Sequence, residues 1–158
     1  MIFGVGLLGE VLVERKSAII ADQFFSELLA GFDPILITPC EEVKTLVEVE
    51  RLATELRSRG VTRGDSIIAI GGGIVQDLAT LVSSLYQRGV VWEYVPSTLL
   101  SMADSCIGGK SSINAGSTKN LLGNFYPPRR VVIDPSLLLT LSDSAIAAGL
   151  CEAMKISY

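Results

Sequence analysis

Ser66-Ile-Ile-Ala-Ile70 runs without interruption into Gly71-Gly72-Gly73, and a helix-spaced apolar segment, Val75 to Leu85, follows. This order constrains the chain more than any other feature. A continuously apolar strand needs cover on both faces, which is the setting of a parallel sheet. Residues without a Cβ let the backbone approach a ligand closely, and the amides that open the next helix face it. Such a turn suits a pyrophosphate; a tight strand-to-helix turn without a ligand is the competing reading. The spacing Gly71-Gly-Gly-Ile-Val-Gln-Asp77 is not G-x-G-x-x-G, which disfavours an ordinary Rossmann dehydrogenase. Gly4-Val-Gly-Leu-Leu-Gly9 does fit that string, but only three residues precede it. The dinucleotide fingerprint needs a strand there, so an ordinary turn is expected.

The rest of the chain alternates in the same way. Strands are predicted at Ser17–Ala21, Pro34–Thr38, Val90–Val95 and Arg130–Ile133, and a helix around Gln23–Ala30. From Val43 to Arg59 apolar residues recur near a helical period, with Gly60 placed to end the helix. Pro96 stops the fourth strand, and Ser142 to Tyr158 reads as a helix with Ser142 at its N-cap. The pattern predicts an α/β fold, a Rossmann-like, mostly parallel sheet with flanking helices.

Composition narrows the chemistry. The apolar fraction of 49% is ample for a core and argues against disorder. A net charge of −4 offers nucleic acid or an anionic membrane no electrostatic attraction, and neither is expected as a partner. No apolar run approaches the roughly 20 residues of a membrane span, and residues 1–9 lack the basic start of a signal peptide. Cys40, Cys106 and Cys151 form no C-x-x-C pair, which points to reduced thiols and a cytoplasmic location. The 158 residues contain no histidine. No Ser-His or Cys-His dyad can be built, and a zinc site would lack its commonest ligand.

Residues 96–126 are the densest polar stretch, rich in Ser, Gly, Asn and Lys with little secondary-structure signal. Leu99, Leu100, Met102, Ile107, Ile113, Leu121 and Leu122 are interspersed, so the stretch is expected to pack rather than to form a solvated loop. Its small polar groups, one carboxylate and two ammoniums suit a phosphorylated polyol. Glu152 and Lys155 lie three apart and share a helix face, as a surface ion pair would.

Taken together, Gly71-Gly-Gly-Ile-Val-Gln-Asp77, Tyr86-Gln-Arg-Gly89, Pro96-Ser-Thr-Leu-Leu100, Asp104-Ser-Cys-Ile-Gly-Gly-Lys110, Lys119-Asn-Leu-Leu-Gly123 and Gly149-x-x-Glu152-x-x-Lys155 resemble, in order and spacing, the dehydroquinate synthase family of sugar phosphate cyclases. Glu41-x-x-Lys44-Thr45 is similar to its earlier cofactor motif. The resemblance implies NAD as cofactor, with Asp22 and Glu41 on the adenosine ribose, Lys44 supporting them, and Gly71, Gly72, Gly73 and Asp77 around the pyrophosphate. It places Ser97, Thr98 and Asp104 towards the nicotinamide, and Lys119 and Thr140 on the cofactor side. Lys110 and Asn120 would hold the substrate phosphate, with Arg88 reaching in from a second subunit of a homodimer. Glu152 would be one ligand of a divalent metal, zinc or cobalt, with Lys155 beside the reacting hydroxyls; Asp104, Lys110 and Lys155 are the catalytic candidates. The implied reaction is conversion of 3-deoxy-D-arabino-heptulosonate 7-phosphate to 3-dehydroquinate with release of phosphate, a step of the shikimate pathway.

The sequence departs from the family in two respects. The two histidine metal ligands are missing, and an acidic cofactor residue is replaced near Ala145. The expected layout is an NAD-binding domain over residues 1–136 and, over 137–158, the first helix of an all-α metal-binding domain, truncated, with its metal site incomplete. Ile107-Gly-Gly-Lys110 favours dehydroquinate synthase, whereas Ser111-Ser-Ile-Asn114 and Asn124-Phe-Tyr-Pro-Pro128 are less typical and leave a cyclase of another sugar phosphate open. A metal-dependent glycerol or alcohol dehydrogenase is a further alternative, weakened because Thr80 stands where such proteins carry lysine. An inactive nucleotide-binding fragment is the non-enzymatic one.

Overall fold

The computed structural model describes residues 1–13 and 17–157. Its regular elements are β1 (Ile2–Phe3), α1 (Leu7–Val13), β2 (Ser17–Asp22), β3 (Ile35–Ile37), α2 (Leu46–Ser58), β4 (Ser66–Gly71), α3 (Gly73–Leu85) and β5 (Val91–Pro96). After a π-helical turn at Ser101–Ser105 come the single turn α4 (Cys106–Gly108), β6 (Ile113–Ala115), β7 (Thr118–Leu122), β8 (Arg130–Ile133) and α5 (Asp143–Ser157). Tyr158, the end of the expected last helix, lies outside the described residues.

Six strands form one sheet in the order β1-β8-β5-β4-β2-β3, with every neighbouring pair parallel. The chain winds from β2 out to β3, then returns past β2 to β4 and winds the other way through β5. The C-terminal ends of β2 and β4 therefore flank a topological switch point, where open α/β sheets bind ligands. All residues of β4 are buried. Ile67 and Ala69 join the cluster beneath α2 and α3, while Ile68 and Ile70 join the opposite one with Leu8, Val11 and Leu12 of α1. Burial on both faces is the physical reason that β4 is apolar at every interior position.

Two expectations change. The segment around Gln23–Ala30 is not an α-helix but two isolated 3₁₀ turns, Gln23–Phe25 and Ala30–Phe32. Asp22 accepts from the Phe24 amide at 2.9 Å, an Asx turn, and Phe25 and Leu29 are buried four apart, which imitates helical spacing. Gly31 and Pro34 leave too short a run for helix propagation. A strand, β1, does precede Gly4–Gly9, and α1 follows it. The anion at this helix start is nevertheless internal. Asp134 Oδ2 accepts from the Leu8 amide at 3.4 Å, and its Oδ1 caps Ser136 at 3.0 Å.

Burial opposes ionisation of Asp134, but the Ser136 hydroxyl and the amides of Ser136, Gly6 and Leu8 outweigh it and hold the carboxyl below the usual range. A depressed carboxyl stabilises the fold above its ordinary pKa and loses that contribution as pH falls through its folded value. Asp134→Ala is expected to lower stability by about 1–2 kcal/mol at pH 7, measured by urea unfolding, with the difference from the parent chain shrinking in acid. Among the described residues, no helix is long and apolar enough to cross a membrane.

Candidate functional site

The C-terminal edge of the sheet gathers most of the residues singled out from the sequence. Asp22 ends β2, Glu41 follows β3, Gly71–Gly73 follow the interior of β4, and Ser97 and Thr98 follow β5. None of the three glycines has a positive φ. Space, not backbone conformation, requires them. A Cβ on Gly71 would lie 2.6 Å from Val75 Cγ2, and one on Gly72 would lie 3.2 Å from Thr98 Cγ2. A Cβ on Gly73 would meet nothing within 4 Å, so the approach to the start of α3 is open. The N-cap is Gly72, which brings no side-chain cap, and the first amides of α3 keep their donors for a ligand. Tyr94 supports the turn from below: its buried hydroxyl donates to Gly71 O at 3.1 Å and lies 3.3 Å from Gly72 O. Burial raises the pKa of that hydroxyl and keeps it a donor.

Beside the turn, a polar knot built around the buried Lys44 joins segments far apart in the chain. Lys44 Nζ lies 2.8 Å from Asp77 Oδ2 and donates to Asn120 Oδ1 at 2.8 Å. The amide of Ser112 donates to Asp77 Oδ1 at 3.0 Å, and the Ser112 hydroxyl donates to Asn120 Oδ1 at 2.9 Å. Burial pushes the Asp77 carboxyl above the usual range, against the Lys44 ammonium and the Ser112 amide. Gln76, almost fully buried, donates to Lys110 O at 2.7 Å and fixes the main chain from which the Lys110 side chain projects. Gly109 takes φ +58 immediately before it, where a Cβ would come within 2.7 Å of Pro127 Cα.

The result is a cavity of about 680 Å³ lined by Lys44, Gly73, Asp77, Lys110, Asn120 and Phe125, among others. An open helix N-terminus, two ammoniums, a carboxylate and an amide share one space, as capture of a phosphorylated, hydroxyl-rich ligand requires. Asp104 sits half-buried in the π-helical turn, a distortion frequent at functional sites.

Other expected site residues lie elsewhere. Lys119 lines a separate cavity of about 330 Å³ with Glu41, Glu42 and Asn114. The Thr140 hydroxyl donates to Leu137 O at 2.7 Å, just before α5. Arg88 is exposed in a left-handed conformation, φ +66, beyond the C-terminal end of α3. The 13 residues of α3 separate it by about 20 Å from the glycine turn of the same chain. Glu152 and Lys155 pair at 3.1 Å on α5, which approaches the π-turn closely enough that a Cβ on Gly149 would lie 2.6 Å from Leu99 Cβ. Among the described residues, no group of three His, Cys, Asp or Glu could hold a metal ion. Tyr94, Gln76, Ser112 and Asn114 were not anticipated as site residues. Polar side chains inside otherwise apolar elements were the available signal for the first two.

Comparison with known proteins follows the same lines. A family model described as 3-dehydroquinate synthase N-terminal matches residues 34–148. The 3-dehydroquinate synthase of Methylacidiphilum infernorum is 39% identical, over 96% of this chain and 46% of its own length. That of Lactiplantibacillus plantarum is 38% identical, over 94% and 45%. The chain thus spans about half the length of these relatives. Among solved structures, the 2-epi-5-epi-valiolone synthase of Streptomyces hygroscopicus, with NAD+ and Zn2+ bound, superposes with a TM-score of 0.83 at 28% identity, covering 96% of this chain and 47% of that one. The maleylacetate reductase of Agrobacterium tumefaciens superposes with a TM-score of 0.74 at 16% identity, covering 94% and 44%, a likeness of fold alone.

Proposed function

Because the chain belongs to the 3-dehydroquinate synthase family, we propose that it forms the NAD-binding part of a sugar phosphate cyclase converting 3-deoxy-D-arabino-heptulosonate 7-phosphate to 3-dehydroquinate with release of phosphate. The observation that carries this reading is the single cavity shared by Gly73 at the open start of α3 and by Lys110 and Asn120.

NAD, when bound, supplies transient oxidation of a ring hydroxyl, which acidifies the neighbouring C–H and lets phosphate leave before the carbonyl is reduced again. The residues present fit it. The free amides of α3 and the glycine turn donate to the pyrophosphate, while Asp22 and Glu41 accept from ribose hydroxyls at the sheet edge. Ser97, Thr98 and Asp104 line the way towards the nicotinamide, with Lys119 and Thr140 on the cofactor side. Lys110 and Asn120 bind the phosphate, and the Lys110 ammonium neutralises charge as it leaves. Arg88, remote from its own site, serves the site of a second copy in a homodimer.

The metal does not fit in the same sense. Among the described residues no three donors come together to hold zinc or cobalt, and Glu152 is already paired with Lys155, so no step runs through the metal. Residues 137–158 are assigned to a second domain. Free thiols at Cys40, Cys106 and Cys151 support a cytoplasmic location. A cyclase acting on another sugar phosphate is the second reading, favoured by the valiolone synthase likeness. Parallel phosphate-release assays on the two substrate types discriminate between them.

The dinucleotide assignment has a direct test. Gly73→Val adds bulk where the protein itself has open space, so the melting temperature should change little. Calorimetric titration should show NAD+ binding to the parent chain and at least about tenfold weaker binding to the variant, a loss of about 1.4 kcal/mol. Equal affinity in the two would sink the assignment.

A further inference from the structure

Asn114 lines none of the large cavity, yet it is bonded to both sides of the site. Its side-chain Nδ2 donates to Glu41 O and to Glu41 Oε1, each at 3.0 Å. Its Oδ1 accepts from the Asn120 amide at 2.9 Å, and its own amide donates to Lys44 O at 2.7 Å. One short side chain thereby spans the loop after β3 and the hairpin strand β7. Asn120 takes φ +53, a left-handed conformation that asparagine tolerates, and the bond from its amide to Asn114 Oδ1 anchors it there.

We infer that Asn114 is a positioning residue that couples the phosphate end of the site to the dinucleotide end. This rests on the reading of Lys110 and Asn120 as the phosphate end. An anion drawn to Lys110 and Asn120 steadies the Asn120 main chain. That order passes through Asn114 Oδ1 to the rigid amide plane and on to Glu41. Binding at one end then makes the other end better organised, and the coupling is reciprocal. The Lys44 ammonium also bridges the two sides, but it sits at the end of a flexible stem. It carries charge and does not hold the main chain of its own loop. Asn114 bonds main-chain atoms at Glu41, Lys44 and Asn120, so it transmits conformation.

The test reads main-chain order without requiring the dinucleotide. Val43, Lys44 and Thr45 have hydrogen-bonded amides in the loop after β3. In the parent chain, saturating inorganic phosphate should slow hydrogen exchange at these amides about fivefold. In Asn114→Ala the slowing should vanish, while phosphate still protects β7. The bond from residue 114 N to Lys44 O is a main-chain bond and survives, so the variant keeps its fold. Asn114→Asp keeps the acceptor for Asn120 but sets a carboxylate against Glu41, and should lose the slowing as well.

With phosphate protecting β7, no slowing at residues 43–45 in the parent, or undiminished slowing in both variants, would overturn the coupling; absence of protection at β7 would instead overturn the phosphate reading on which it rests. A parallel NAD+ titration separates the two ideas. Transmission of order without NAD+ binding removes the dinucleotide assignment and leaves the coupling standing. NAD+ binding without transmission does the reverse.

Discussion

Lys44→Met is expected to destabilise the chain by about 3 kcal/mol at pH 7 and to make its stability strongly pH-dependent. The Lys44 side chain is 7% exposed and that of Asp77 is 16%, so the pair lies largely outside bulk water. Burial already holds the Asp77 carboxyl high with the ammonium beside it. Without the ammonium, desolvation is opposed only by the Ser112 amide and the pKa rises further. A carboxyl raised in the folded state contributes stability below its ordinary pKa and loses it as pH rises through the folded value. In the variant that window extends upward, so urea unfolding from pH 4 to pH 8 should show the deficit growing with pH. At pH 4 the variant should approach the parent to within about 1 kcal/mol, and Lys44→Met/Asp77→Asn should recover most of the loss at pH 7. A deficit independent of pH would mean that packing, not the ion pair, had been lost. NAD+ affinity should fall in the single variant as well, because Asp77 and Asn120 are then joined only through Ser112.

Gly123→Ala is the second large effect, again about 3 kcal/mol. A Cβ at residue 123 would overlap the Ser111 carbonyl oxygen and lie 2.8 Å from its carbon. Both are main-chain atoms, so no side chain can turn aside. The strain cannot be relieved by opening the hairpin alone. Ile113 of β6 is fully buried in the cluster beneath α2 and α3, and uncovering it forfeits about 2 kcal/mol. The base of the hairpin also carries Ser111 and Asn124, whose side chains bond each other at 2.9 Å. Displacing it moves Lys110 and Asn120 together. Thermal melting should report the instability, and phosphate binding should be lost even below the melting transition. A variant with parental melting temperature and phosphate affinity would contradict this account.

How far the sequence reaches differs by region. The strands β2, β4, β5 and β8 and the helices α2, α3 and α5 were legible because their apolar periods are strong. The glycine turn was legible because its residues lack side chains where a strand meets a helix. The hairpin β6–β7 was missed. Its strand residues show no clear alternation, and β7 is exposed throughout. The signal that could have found it was Gly116-Ser117, a two-residue turn between short strands with Gly116 at φ +58. The helix expected around Gln23–Ala30 failed for the opposite reason. Phe25 and Leu29 had the spacing, but the Asx turn at Asp22 offered the backbone a competing bond.

The sequence by itself determined the parallel α/β architecture, the phosphate-suited turn at Gly71–Gly73 and the family to which the ordered blocks belong. Each is written in residue type over a few adjacent positions. Only the tertiary structure decided which polar groups meet. Lys44 and Asn120 are 76 residues apart in sequence and 2.8 Å apart in space. Asp134, 126 residues from Leu8, takes the helix start that the first glycine string presents. Arg88 and Gly73 stand at opposite ends of one helix. Local patterns specify elements because backbone geometry is local. Partners are specified by how the buried faces of those elements dock, and no short stretch of sequence carries that information.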